Sequence, residues 1–108
     1  MKTIAIPIFG TRVSSRLDCA ESVLLVTVDN STVKKREQVR LVQTNPLEKI
    51  NLLMQLGVEV VICGGITEIC SNKFNDCGMQ VIPWVRGEAE EVLSQFLAGK
   101  LAKTNSLQ

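Results

Sequence analysis

The residues of this chain with the widest chemical reach are four cysteines, an adjacent pair of glycines and a group of arginines. Thiolates are soft ligands suited to iron–sulfur and copper centres. The positions Cys19, Cys63, Cys70 and Cys77 contain no Cys-x-x-Cys pair, so no ribbon-type zinc site is indicated. Ile66, Cys70, Phe74 and Cys77 follow one another at helical spacings of four, four and three, which makes an apolar stripe. Core packing therefore outweighs ligation for Cys70, because a buried free cysteine behaves as a small hydrophobe. Cys77 lies seven residues beyond Cys70, ~10 Å along a helix, too far to share one ion with it, and reads as structural. Cys63 ends an apolar run and is balanced between packing and ligation. Cys19 sits in a polar loop where packing explains it least, so it is the best candidate for reactive chemistry.

Absences narrow the chemistry further. The chain has no His and no Tyr, which removes imidazole ligation, a histidine general base and the usual triads. With three Phe and one Trp, a stacking platform for single-stranded nucleic acid is not expected. A net charge of +1 argues against binding nucleic acid through a strong basic field. There is no P-loop lysine and no dinucleotide fingerprint. The segment Val58-Glu59-Val60-Val61-Ile62-Cys63-Gly64-Gly65-Ile66 reads as a strand covered on both faces, ending in a sharp turn. The paired glycines let the backbone turn tightly and let something approach its N–H groups; the two roles are equally open.

The elements that must position these residues follow from periodicity. Strands are expected at 3–8, 21–28, about 33–41, 58–63 and 79–84, the third rich in Lys and Arg as suits a charge-protected edge. Asp29-Asn30-Ser31-Thr32 is the turn between the second and third. Asn45-Pro46 caps a helix striped by Leu47, Ile50, Leu53 and Met54 and closed by Gly57. Further helices are expected at about 67–77 and 88–98, the last striped by Ala89, Val92, Leu93, Phe96 and Leu97. The order β-β-β-α-β-α-β-α predicts an α/β, ribonuclease-H-like three-layer fold: a five-stranded mixed sheet of order 3-2-1-4-5 with three helices. The carboxyl ends of the first and fourth strands then form the switch point where ligands bind in such sheets. Strand one carries no acid, so nuclease or phosphotransferase chemistry is not expected.

At 108 residues the chain is one domain, taken as 1–101 with 102–108 a frayed polar tail. An apolar content of 45% with 21% charged residues is ordinary for a soluble globular protein. The opening Met-Lys-Thr-Ile-Ala-Ile-Pro-Ile-Phe is too short for a signal peptide, and reduced thiols then point to the cytoplasm.

The opening Met1 to Pro7, Val13-Ser14-Ser15, Ala20-Glu21, Leu56 to Ile66, Gly78 to Ile82 and Leu97 to Leu101 occur together and in order. In this the chain resembles the nitrogenase iron–molybdenum-cofactor biosynthesis family. The resemblance implies a ribonuclease-H-like fold and a non-catalytic carrier or scaffold for an iron–sulfur or molybdenum–sulfur cluster or its precursor. It implies metallocluster donor and acceptor proteins as partners. The chain is expected to be a monomer or weak homodimer, and its charge and the lack of a long apolar run leave neither nucleic acid nor membrane as an expected partner. Where the family has a Phe-Gly-Arg-like step, this chain has Leu17-Asp18-Cys19. With no histidine, a cluster must be held by Cys19 and Cys63 as metal ligands, or without covalent bonds on Gly64, Gly65 and Arg12. Arg16 and Arg86 are expected nearby, partly offset by Asp18, Glu68 and Glu88. The alternative is a cofactor-free regulatory or protein-interaction module using the same edge.

Overall fold

The structure is a computed structural model and describes residues 1–17, 20–42 and 45–99. Its elements are β1 (Lys2–Phe9), β2 (Arg12–Val13), β3 (Ser22–Asp29), β4 (Thr32–Arg40), α1 (Pro46–Gln55), β5 (Val60–Ile62), α2 (Glu68–Asp76), β6 (Gln80–Ile82) and α3 (Ala89–Leu97). The sheet has six strands rather than five, ordered β4-β3-β1-β5-β6 with β2 paired to β1. The short β2 renumbers every later strand, and this corrects the expected count and the order 3-2-1-4-5 written for it. Two residues are too few to leave a periodic signal, which is why the sequence showed only a polar loop there.

Side-chain alternation along β1 creates the layers. Ile4, Ile6 and Ile8 join Val26, Val28, Val60, Ile62 and the α3 residues Ala89, Val92 and Leu93 on one face. Ala5, Val23, Leu25, Val61 and Cys63 join Ile50 and Leu53 of α1 and Cys70 and Phe74 of α2 on the other. The hairpin from β3 to β4 closes through Asn30 and Ser31, whose φ angles of 51° and 66° suit a two-residue turn matched to strand twist. The charged β4 is exposed over most of its length, as an edge strand should be. On α1 the stripe differs from expectation. Leu47 and Met54 are exposed, while Lys49 is buried and donates from Nζ to the Ala20 carbonyl at 2.9 Å.

At the switch point β1 runs antiparallel to β3 on one side and parallel to β5 on the other. The β1–β5 ladder pairs Ile4 with Val60 and Ala5 with Val61. Just past it stands Pro7, which has no N–H to offer a ladder. There the returning chain threads in: Ser14 N–H donates to the Pro7 carbonyl at 2.9 Å, and Arg16 forms a parallel bridge with Gly65. The crevice expected to hold a ligand is thus filled by the protein's own residues 14–17. Among the described residues, no helix is long and apolar enough to cross a membrane.

Candidate functional site

Three loops converge at the carboxyl edge through backbone bonds. Val13 N–H donates to the Gly87 carbonyl and Ala89 N–H to the Thr11 carbonyl, both at 2.9 Å. Gly65 N–H donates to Ser15 at 2.7 Å, Leu17 N–H to Gly65 at 3.0 Å, and Trp84 N–H to Gly64 at 2.9 Å. These bonds stitch the loop after β1, the glycine turn after β5 and the segment after β6 into one surface.

The glycine pair is shaped by this stitching. Gly64 is buried, and a Cβ built on it would stand 2.4 Å from the Ser14 carbonyl oxygen and 2.6 Å from that of Ser15. What approaches Gly64 so closely is therefore the chain itself. At Gly65 the same test meets the Trp84 ring at 3.1 Å and the Ser15 oxygen at 3.3 Å. The Gly65 amide is already bonded to Ser15, so an anion at this edge would have to displace that carbonyl to reach it.

Cys63 is fully buried, and its thiol is pushed up to about 12 by burial and by the neighbouring Cys70. A metal gains most from a thiol that ionises near neutral pH, and this one is held protonated. Cys70 is buried on the same side of the sheet, its N–H capped by the Thr67 hydroxyl at 3.3 Å. Cys77, half-buried at the end of α2, packs against that same cluster, as its structural reading requires. Cys19 and Asp18 lie outside the described residues, as does the tail 102–108. Among the described residues, no three His, Cys, Asp or Glu groups converge to hold a metal ion.

Outside this sealed layer the edge is open. A shallow cavity of about 410 Å³ is lined by Phe9, Arg12, Val13, Ser14 and Ser15. A second, of about 210 Å³, is lined by Ser15, Arg16, Gly65, Ile66 and Trp84. Ser15 lines both, so they adjoin. Arg12 approaches Glu88 at 3.7 Å, and the Thr11 hydroxyl donates to Glu88 at 3.0 Å, so part of the Arg12 charge is offset locally. Phe9 lines the first cavity and Trp84 the second, with 73% and 71% of their surface exposed. Neither aromatic stood out in the sequence. The one available signal for Trp84 was an isolated Trp following Pro at the end of a strand.

A family model described as dinitrogenase iron-molybdenum cofactor matches residues 1–99, and the chain belongs to that family. It is similar to the solved crystal structure of PH0822, at 25% identity and a TM-score of 0.87, covering 92% of this chain and 91% of that one. The apo form of the orange protein from Desulfovibrio gigas shares the fold, with a TM-score of 0.77 at 20% identity over 94% of this chain and 91% of that one. An uncharacterised protein of Methanocaldococcus jannaschii, MJ0580, is 26% identical over 105 residues, 93% of this chain and 89% of that protein.

Proposed function

We propose that this protein is a non-catalytic carrier or scaffold for an anionic iron–sulfur or molybdenum–sulfur cluster, or a precursor of one, received from a donor protein and passed to an acceptor. The observation that carries the reading is the family match over residues 1–99. The geometry of the carboxyl edge supports a particular mode of holding. Cargo would rest outside the sealed Cys63 layer, in the paired cavities around Ser15, with Arg12 and Arg16 supplying positive charge. Gly64 and Gly65 serve this reading indirectly, by letting Ser14 and Ser15 lie flat against the end of β5. Cys19 remains the thiolate of the proposal, and Cys63, buried and protonated, the weaker candidate as a metal ligand. A cytoplasmic setting and the ribonuclease-H-like assignment belong to the same reading, the latter supported by the strand path β4-β3-β1-β5-β6.

The test is anaerobic reconstitution of the full chain with iron and sulfide, and separately with thiomolybdate and copper. A visible charge-transfer band with stoichiometric metal is expected in one of the two, and its absence from both sinks the carrier reading. Cys19→Ser separates the modes of holding: a thiolate site loses its metal, whereas a non-covalent edge site keeps it. The exposure of Phe9 and Trp84 favours a second reading, a cofactor-free interaction module. That module would take up no cluster at all and would keep its partner binding in Cys19→Ser.

A further inference from the structure

Trp84 combines three features that its own fold does not require. Its φ is +64°, in the left-handed region that a bulky side chain rarely enters and that turns usually give to glycine. The residue is 71% exposed, so the strain is not offset by burying the largest side chain available to the protein. Its indole N–H bonds no acceptor among the described residues, although the backbone N–H is fixed on the Gly64 carbonyl. Backbone strain of this kind persists where the surroundings hold it, and it concentrates at sites that contact ligands.

The surroundings show what holds it. Pro83 precedes Trp84, and the bonds from Trp84 N–H to Gly64 and from Val85 N–H to Cys63 clamp the segment against the end of β5. The clamp sets the indole beside Gly65, where its Cζ3 and Cη2 atoms would lie 3.1 Å and 3.5 Å from an added Cβ. In that place the ring is one wall of the 210 Å³ cavity whose other walls are Ser15, Arg16, Gly65 and Ile66.

We infer that Trp84 is a cargo-contacting residue, the benzo edge of its indole held at this cavity to pack against a sulfur-faced anion. The chemistry of the ring selects this class of guest. Polarizable sulfur packs favourably at aromatic edges, whose hydrogens carry partial positive charge. A fully oxygenated anion of the same charge is small-faced and strongly hydrated, and gains little from that edge. The inference rests on the carrier reading and names the residue that discriminates cargo within it.

The test uses the full chain under anaerobic conditions with tetrathiomolybdate as probe and molybdate as its oxygen counterpart. The protein has a single Trp, so its indole N–H gives one resonance that can be followed directly. Tetrathiomolybdate is expected to shift that resonance and to remain with the protein through desalting, while molybdate does neither. Trp84→Gly relieves the left-handed backbone and removes the ring; it should melt within about 3 °C of wild type yet retain roughly tenfold less tetrathiomolybdate. Trp84→Phe keeps a smaller ring with less edge to offer and should fall about threefold. Equal retention by Trp84→Gly and wild type overturns the inference and leaves the carrier reading standing. So does a molybdate-induced indole shift as large as that of tetrathiomolybdate, or a Trp84→Gly variant that melts far lower, which would make the ring structural. If wild type takes up no cluster in either reconstitution, the carrier reading falls and this inference falls with it.

Discussion

Cys63-Gly64 and Gly65-Trp84 meet at one turn, yet they belong to different surroundings. The first pair faces inward: Cys63 is fully buried and Gly64 is pressed by the Ser14 and Ser15 carbonyls. The second faces outward: Gly65 is half-exposed beneath an indole that is mostly in solvent. The inner pair is constrained by backbone and by exclusion of water, the outer pair by a side chain that can move. One strand end thus supplies both a rigid base and an adjustable rim. The chemistry proposed for the edge belongs to the rim, because the base has no room for a ligand and no ionised thiol to offer.

The largest effect should come from breaking the base. In Gly64→Ala the new methyl would meet backbone oxygens at 2.4 Å and 2.6 Å, which cannot rotate away as a side chain can. The loop 14–17 would have to lift, losing the Gly65–Ser15 and Leu17–Gly65 bonds. A destabilisation of roughly 3 kcal/mol or more is expected in urea unfolding, at the top of the range for overpacking. A cost below about 1 kcal/mol would mean that the loop yields easily and that base and rim are alike.

The thiol of Cys63 sharpens the contrast through pH. Its folded value of about 12 stands above the ordinary value of 9.0, so the folded state holds its proton more tightly than the unfolded chain. The resulting stabilisation is fully present below about pH 9 and is lost as pH rises toward about 12. Between pH 9 and 10 this one group should remove about 1 kcal/mol of stability. Urea unfolding of wild type and Cys63→Ala across that interval measures it, since the lysines contribute to both proteins. The wild type should lose stability faster by that amount, and parallel curves would contradict a sealed, protonated Cys63. Alkylation of the native protein at pH 8 should likewise spare Cys63 until the chain unfolds.

This division was only half legible in the sequence. The apolar run to Cys63 and the glycines after it located the strand end, because a doubly covered strand leaves a continuous hydrophobic signature. The helix start at Pro46 was marked by Asn45, whose side chain accepts from Leu47 N–H. The next helix, expected from about residue 67, starts at Glu68 because the Thr67 hydroxyl caps it by accepting from Cys70 N–H. What the glycines were for could not be read, since the group pressing on Gly64 comes from Ser14 and Ser15, some fifty residues away, and pairing at that range leaves no local pattern. Lys49 was hidden for a similar reason. Its burial depends on the Ala20 carbonyl lying under α1, a fact of tertiary packing rather than of helical period. Trp84 was read as the end of a strand, because nothing in a residue type reveals that its backbone turns to positive φ.

The smallest effect should come from the rim, and it separates the two glycines most directly. In Gly65→Ala the nearest obstacle is the edge of the Trp84 ring at 3.1 Å, which can tilt outward. The Ser15 oxygen at 3.3 Å asks for a shift of only a few tenths of an ångström, and Gly65 does not have a left-handed φ that would add strain. Stability should therefore fall by less than about 1 kcal/mol, well short of the Gly64 variant. The displaced indole should still be visible, as a moved N–H resonance and a redder fluorescence maximum as the ring gains exposure. Small cost with a moved indole is the signature of a rim; equal costs for the two alanine variants would erase the distinction. A Gly65→Ala protein that keeps its stability but holds cargo less well would also tie retention to ring position, because in it the Trp84 indole is intact and only its place has changed.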